Sequence, residues 1–198
     1  MARYGAKNAK WAPFAAESAD ENAKALPKYG ETKTFGQLNK VSDTLNHNEG
    51  SAYGDDALVL YEKQFKDGTM EAESVFLPMA DAGTMLGAKT DSKDGISFTA
   101  DDLPPYIGFG FTTHHVSKDK HYYQAVFYPK LKASPTSESY ETRGDNITFA
   151  TDKMSFHIEL PLCRIYKIVK DFDTEAAAEA YIDALFKTGA AVPGLAET

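Results

Sequence analysis

Apolar and polar positions alternate along most of this chain, in short stretches separated by turn-forming residues, which is the period of half-buried strands. Leu58–Lys66 and Thr69–Phe76 flank Asp67-Gly68, and that dipeptide between two strand-like runs predicts a hairpin. In its second strand Met70, Ala72, Ser74 and Phe76 share one face. Residues 96–100 read as a short strand, and Asn146–Phe149 with Met154–Leu160 as a pair or one bent strand, with Met154, Phe156, Ile158 and Leu160 on one side. The run 106–116 is expected to pair with 121–132 across the turn 117–120, setting Val116 opposite His121, Phe111 opposite Val126, Gly110 opposite Phe127 and Phe109 opposite Tyr128.

Only two stretches carry a helical pattern. Pro78–Leu86 predicts a short helix, with proline near the first turn and Gly87 as a stop. Residues 172–188 predict a longer one: Asp173 or Thr174 caps it, Glu175 suits its positive end, and Ala177, Ala178, Tyr181, Ile182, Leu185 and Phe186 form an apolar stripe that ends at Gly189. Such a stripe is expected to close one face of the sheet. The segments 15–28 and 132–145 read as irregular.

A chain of 198 residues, 42% hydrophobic, 12% aromatic and 25% charged, fits one globular domain with a sizeable core. No run is long and apolar enough to span a bilayer, and the basic N-terminus lacks the apolar stretch of a signal peptide, so cytosolic synthesis and retention are expected. The single cysteine, Cys163, excludes an internal disulfide and reads as a small buried filler.

The net charge of -8 is concentrated: residues 31–102 hold 14 acidic against 6 basic side chains, whereas 1–30 sum to +2 and 103–198 to -2. An acidic surface repels phosphate, which argues against sequence-reading of nucleic acid.

The stretch DDLPPYIGFGFTTHH, 101–115, resembles chemistry at first sight. A dinucleotide loop needs a third glycine and a following helix; Thr113 stands at that position and a strand follows. Gly108 and Gly110 are instead expected to leave room for a ring or a neighbouring chain. His114 and His115 point to opposite faces, and His114 with His121 has no third ligand, so no metal site is assigned. Asp101-Asp102 and Asp55-Asp56 read as solvated turn acids, and Cys163 with His157 lacks a third partner for nucleophilic chemistry. No cofactor and no catalytic residue are expected.

Several segments, in order, resemble one family. YGAKNAKWAPF at 4–14, NEGSAYGDDALVLYEKQFKDGTM at 48–70, PPYIGFGF at 104–111, YETRGDNITFAT at 140–151 and the closing FDTEAAAEAYIDAL are similar to segments of the major tail proteins, the tail tube proteins, of siphophages infecting Gram-positive bacteria. The resemblance covers about residues 3–187. It implies a mainly β fold, a β-sandwich or partial barrel with a flanking C-terminal helix, like the tubes of type VI secretion systems. The implied layout is a single domain: arm and loop 1–30, β-sandwich 31–171, helix 172–188 and tail 189–198. It further implies hexameric rings that stack into a tube, assembled in the host cytoplasm and carried in the virion, through which double-stranded DNA passes without sequence-specific binding. The partners implied are further copies of the chain, a tape measure protein, a tail terminator and distal tail or baseplate proteins. Because the family carries a long stacking loop in this region, Tyr53, Asp55, Asp56, Tyr61, Lys63 and Asp67 are the implied ring-interface residues, and Glu62, Glu71 and Glu73 the candidates for an acidic lumen. The alternative reading from another class is a β-barrel that holds a small ligand or a carbohydrate; a hydrolase ranks third.

Overall fold

The computed structural model describes residues 2–18, 25–55, 57–91, 95–117, 120–136 and 151–188. Among these, strands β1 (Ala2–Ala16), β2 (Lys28–Tyr29), β3 (Lys33–Thr34), β4 (Leu38–Gly54) and β5 (Ala57–Ser74) precede helix α1 (Met79–Leu86). Strands β6 (Lys89–Asp91), β7 (Gly95–Ser97), β8 (Tyr106–Ser117), β9 (Lys120–Ser134), β10 (Asp152–Ile158) and β11 (Ile168–Phe172) follow, and helix α2 (Glu175–Thr188) closes the described chain. The molecule is mainly β, as the alternation predicts.

Nine strands form one antiparallel sheet in the order β2-β1-β8-β9-β10-β5-β4, with β3 added to β1 and β11 to β9; β6 and β7 pair separately. The sheet curls until β4 comes against β1 although they stand near opposite ends of the pairing order. Opposite parts of one sheet therefore face each other across an interior filled by Trp11, Phe35, Met70, Phe109, Tyr128 and Phe156. Phe35 meets Phe109 edge-on at 5.1 Å between ring centres, and Phe109 meets Phe156 at 5.8 Å.

The expected pairing of β8 with β9 is observed residue for residue at Phe109/Tyr128, Gly110/Phe127, Phe111/Val126 and Val116/His121. Alternation sends Phe109 and Phe111 into the interior and Gly108 and Gly110 to the other face. A Cβ on Gly108 would stand 2.5 Å from the Tyr29 ring, and one on Gly110 2.7 Å from Ile182 Cγ2. The glycines thus give the room expected of them, and the occupants are β2 and α2.

That outer face is a second core. Ala178, Ile182, Leu185 and Phe186 of α2 pack on Ala12, Ala125, Phe127 and Ile168, with Cys163 buried among them. Thr174 is the cap: its Oγ1 accepts from the Ala177 N–H at 3.3 Å. Lys10 fixes the helix to β1 through Asp183 at 2.5 Å. Helix α1 also ends as expected, at Gly87 with φ 75°, whose N–H bonds to the Thr84 carbonyl.

The predicted hairpin around Asp67-Gly68 is not formed, because β5 runs straight through that dipeptide. Gly68 pairs with both Leu45 and Ile158, and a Cβ there would stand 2.8 Å from the Thr44 carbonyl oxygen, so the glycine serves close strand approach rather than a turn. The chain reverses instead between Gly54 and Ala57. The strand expected at 96–100 is shorter, Gly95–Ser97. Residues 146–149 and Gly189 lie outside the described residues.

A candidate assembly interface

The pairing of β5 with β10 stops at Gly68/Ile158, while β4 and β5 continue together to Gly54/Ala57. Beyond that point they form a two-stranded ribbon whose outer edges lack a strand partner among the described residues. Eleven residues of β5, Ala57–Asp67, at about 3.3 Å each give it a reach of roughly 35 Å.

Local chemistry explains its shape. At its root Lys66 is an extra residue between the pairs Asn46/Asp67 and His47/Phe65, a bulge that increases twist. Asn46 Nδ2 donates to Asp67 Oδ1 at 2.6 Å across this bulge, and Phe65 stacks on Tyr166 at 4.0 Å to hold the root against the body. At the tip Asp55 has φ 49°, the left-handed geometry of tight hairpin turns that aspartate tolerates well.

What the ribbon presents is unusual for a free surface. Tyr53 is 72% and Val59 71% exposed, and Leu58, Leu60 and Tyr61 are all more than half exposed. Since Leu58, Val59, Leu60 and Tyr61 are consecutive in a strand, they cover both faces. A lone two-stranded ribbon is marginal in water, and contiguous exposed apolar surface of this kind marks a place where another molecule docks. Lys63 and Glu49 pair across the strands at 2.7 Å; their bond holds the carboxyl below its ordinary value and the ammonium above its own. Both are exposed, so this pair tunes the ribbon little.

Of the implied interface residues, Tyr53, Asp55, Tyr61, Lys63 and Asp67 lie along this ribbon, and Asp56 lies outside the described residues. The implied lumen acids divide. Glu62 is on the ribbon opposite Gly50, whereas Glu71 and Glu73 lie further along β5, between the buried positions Met70, Ala72 and Ser74 and so on the opposite face. There Glu71 is bonded to Lys153 at 2.9 Å, and Glu73 is in register with Lys40 and Lys153. Facing lysines offset part of the negative field at these two carboxylates.

The residues that sequence reasoning passed over are Leu58, Val59 and Leu60. Their signal was the break in alternation itself: four consecutive large apolar residues beside a turn cannot be half-buried on one face only.

The other polar candidates resolve into local structure. His114 Nε2 and His121 Nδ1 stand 3.2 Å apart, His114 stacks on Tyr123 at 4.6 Å, and His115 is buried on the other face. Among the described residues no three His, Cys, Asp or Glu side chains converge on one point. Asp102 accepts from the hydroxyl and N–H of Thr99 at 2.6 and 2.8 Å, which hold its carboxyl below the ordinary range and identify it as a turn acid. A groove of about 350 Å³ between β1, β4 and β9 is lined by Tyr4, Val41, Phe111, Val126 and Val169, and the Asp43–Lys167 pair, 2.8 Å, lies in its wall. Burial pushes the Asp43 carboxyl up, but bonds from Lys167 and Tyr128 outweigh burial and leave it lowered.

Among the described residues no helix is long and apolar enough to cross a membrane. No protein-family model matches this chain, and no curated protein is similar to it in sequence.

Proposed function

We propose that this protein is a structural subunit whose working form is an assembly of its own copies: hexameric rings stacked into a phage tail tube that conducts double-stranded DNA. The observation that supports this most is the β4–β5 ribbon, which exposes Tyr53 and Leu58–Tyr61 on both faces and whose outer edges have no strand partner among the described residues. The described residues do not cover it, and identical copies would do so without requiring a second gene product. The number six, the DNA conduit and the further tail partners rest on the segment resemblance. The net charge of -8 suits a wall past which a polyanion must slide.

The role is structural rather than catalytic. The rival reading, a barrel that holds a ligand, has less support, because the space enclosed by the curled sheet is occupied by Trp11, Phe35, Phe109 and Phe156.

Negative-stain electron microscopy of the purified protein over a range of concentrations tests the reading. Hollow rods or stacked rings are expected; a species that stays at 21.7 kDa at every concentration counts against it.

A further inference from the structure

Ten of the thirteen large apolar side chains exposed among the described residues fall into two groups of five. One is the ribbon: Tyr53, Leu58, Val59, Leu60 and Tyr61. The other surrounds α1. Val75 and Phe76 lead from β5 into the helix, Met79 opens it, and Phe98 and Leu103 belong to the segment that returns along it. That segment is held tightly: Ile96 packs where a Cβ on Gly83 would stand, and the Leu103 carbonyl occupies the space beside Gly87. Phe76 is 65% and Leu103 80% exposed.

The two groups lie at opposite ends of one strand. Strand β5 begins at Ala57 beside the ribbon tip and ends at Ser74, the residue before Val75. Thirteen residues, Glu62–Ser74, separate Tyr61 of the ribbon from Val75, roughly 45 Å along the strand.

We infer that the patch around α1 is the acceptor for the ribbon of a second copy of this chain. This rests on the assembly reading above and adds to it the surface that receives the ribbon. The areas suit each other. Five side chains of this size, each half to four-fifths exposed, present roughly 500–600 Å² per group, so their union buries about 1,000–1,200 Å², enough for a specific contact. Placement decides the symmetry. A copy that inserts its ribbon into a neighbour leaves its own acceptor free roughly 45 Å further along β5, so the contact is heterologous and propagates in one direction. Pairing of ribbon with ribbon alone would close as a dimer and leave the patch around α1 of every copy uncovered.

The test uses two variants of the full chain, each changed only at exposed positions. Val59→Asp with Leu60→Asp spoils the ribbon and keeps the acceptor; Phe76→Asp with Leu103→Asp spoils the acceptor and keeps the ribbon. Sedimentation velocity is expected to show that each variant alone needs at least a tenfold higher concentration to assemble than the unchanged protein. Mixed in equal amounts they are expected to join into complexes of two units and stop, since one working ribbon then meets one working acceptor. Assembly of the acceptor variant at unchanged concentration, or a mixture that stays apart, overturns the inference while leaving the tube reading standing. An unchanged protein that never assembles overturns the tube reading, and this inference with it. If a variant does not fold, oxidative cross-linking of a chain carrying Leu60→Cys and Phe98→Cys decides the same question: a ladder of covalent oligomers is expected, and rods that give no ladder overturn the inference.

Discussion

The β8–β9 pair and the β4–β5 ribbon are both hairpins with large apolar residues on two faces, yet they meet opposite conditions. Around β8–β9 the chain supplies both covers itself: Trp11, Phe35 and Phe156 on the inside, and Tyr29 and α2 on the outside. Around Tyr53 and Leu58–Tyr61 of the ribbon the described residues supply neither. Apolar composition of a strand therefore says that two faces will be covered, and the topology says whether this molecule or another does it.

Four measurements press on that contrast, the first at its most covered point. Phe109→Ala removes the ring that Phe35, Phe111 and Phe156 all meet, and a fully buried phenylalanine so replaced is expected to cost about 3–5 kcal/mol in urea unfolding. A loss under about 1 kcal/mol would mean that the interior is not packed as described.

Next in size is Gly110→Ala. Its new Cβ would stand 2.7 Å from Ile182 Cγ2 and 3.0 Å from the Phe127 ring, and overpacking of this kind is expected to cost about 1–3 kcal/mol. Ile182→Ala in the same chain is expected to recover part of that loss, and a double-mutant cycle with no coupling would separate α2 from this strand.

The third effect lies at the foot of the ribbon. Asp43 has a folded value below its unfolded 3.8, so the ionised form favours folding. Its contribution is fully present well above that value and is lost as pH falls through 3.8 and below. Because the pair is partly exposed, Asp43→Asn is expected to cost under about 1 kcal/mol near neutral pH. The difference from the unchanged protein should shrink as pH falls below 3.8, and a difference that grows on acidification would reverse the assigned sign.

The smallest effect on stability is expected where the exposed apolar surface is largest. Leu60→Asp is expected to change the unfolding free energy of the unassembled chain by no more than about 0.5 kcal/mol. Thermal unfolding at concentrations below assembly checks it; a loss comparable to that of Phe109→Ala would show that the ribbon is covered within its own chain.

Much of the local structure is legible in the sequence. The register of β8 with β9 follows from a short turn and from setting Gly110 opposite Phe127, α1 follows from its stop at Gly87, and α2 from its cap at Thr174. Asp67-Gly68 misled because a turn dipeptide is also what a bulged, closely packed strand requires, and the sequence does not distinguish a glycine that reverses the chain from one that lets Thr44 and Ile158 approach. The ribbon is partly legible in the sequence: its polar and aromatic positions stand out, while Leu58, Val59 and Leu60 read as part of an ordinary strand.

The sequence by itself determined that the chain is acidic and mainly β, where its two helices lie, and the register of β8 on β9, because those properties depend on neighbours a few residues apart; β1, β4 and β11 were not legible in it. The tertiary structure alone decided that β5 parts from β10 at Gly68, that Glu71 and Glu73 face lysines, and that the residues around α1 stand at the far end of the strand that begins beside the ribbon tip. Burial is a property of what packs against a face, and that partner is set by long-range strand order, which no local pattern encodes.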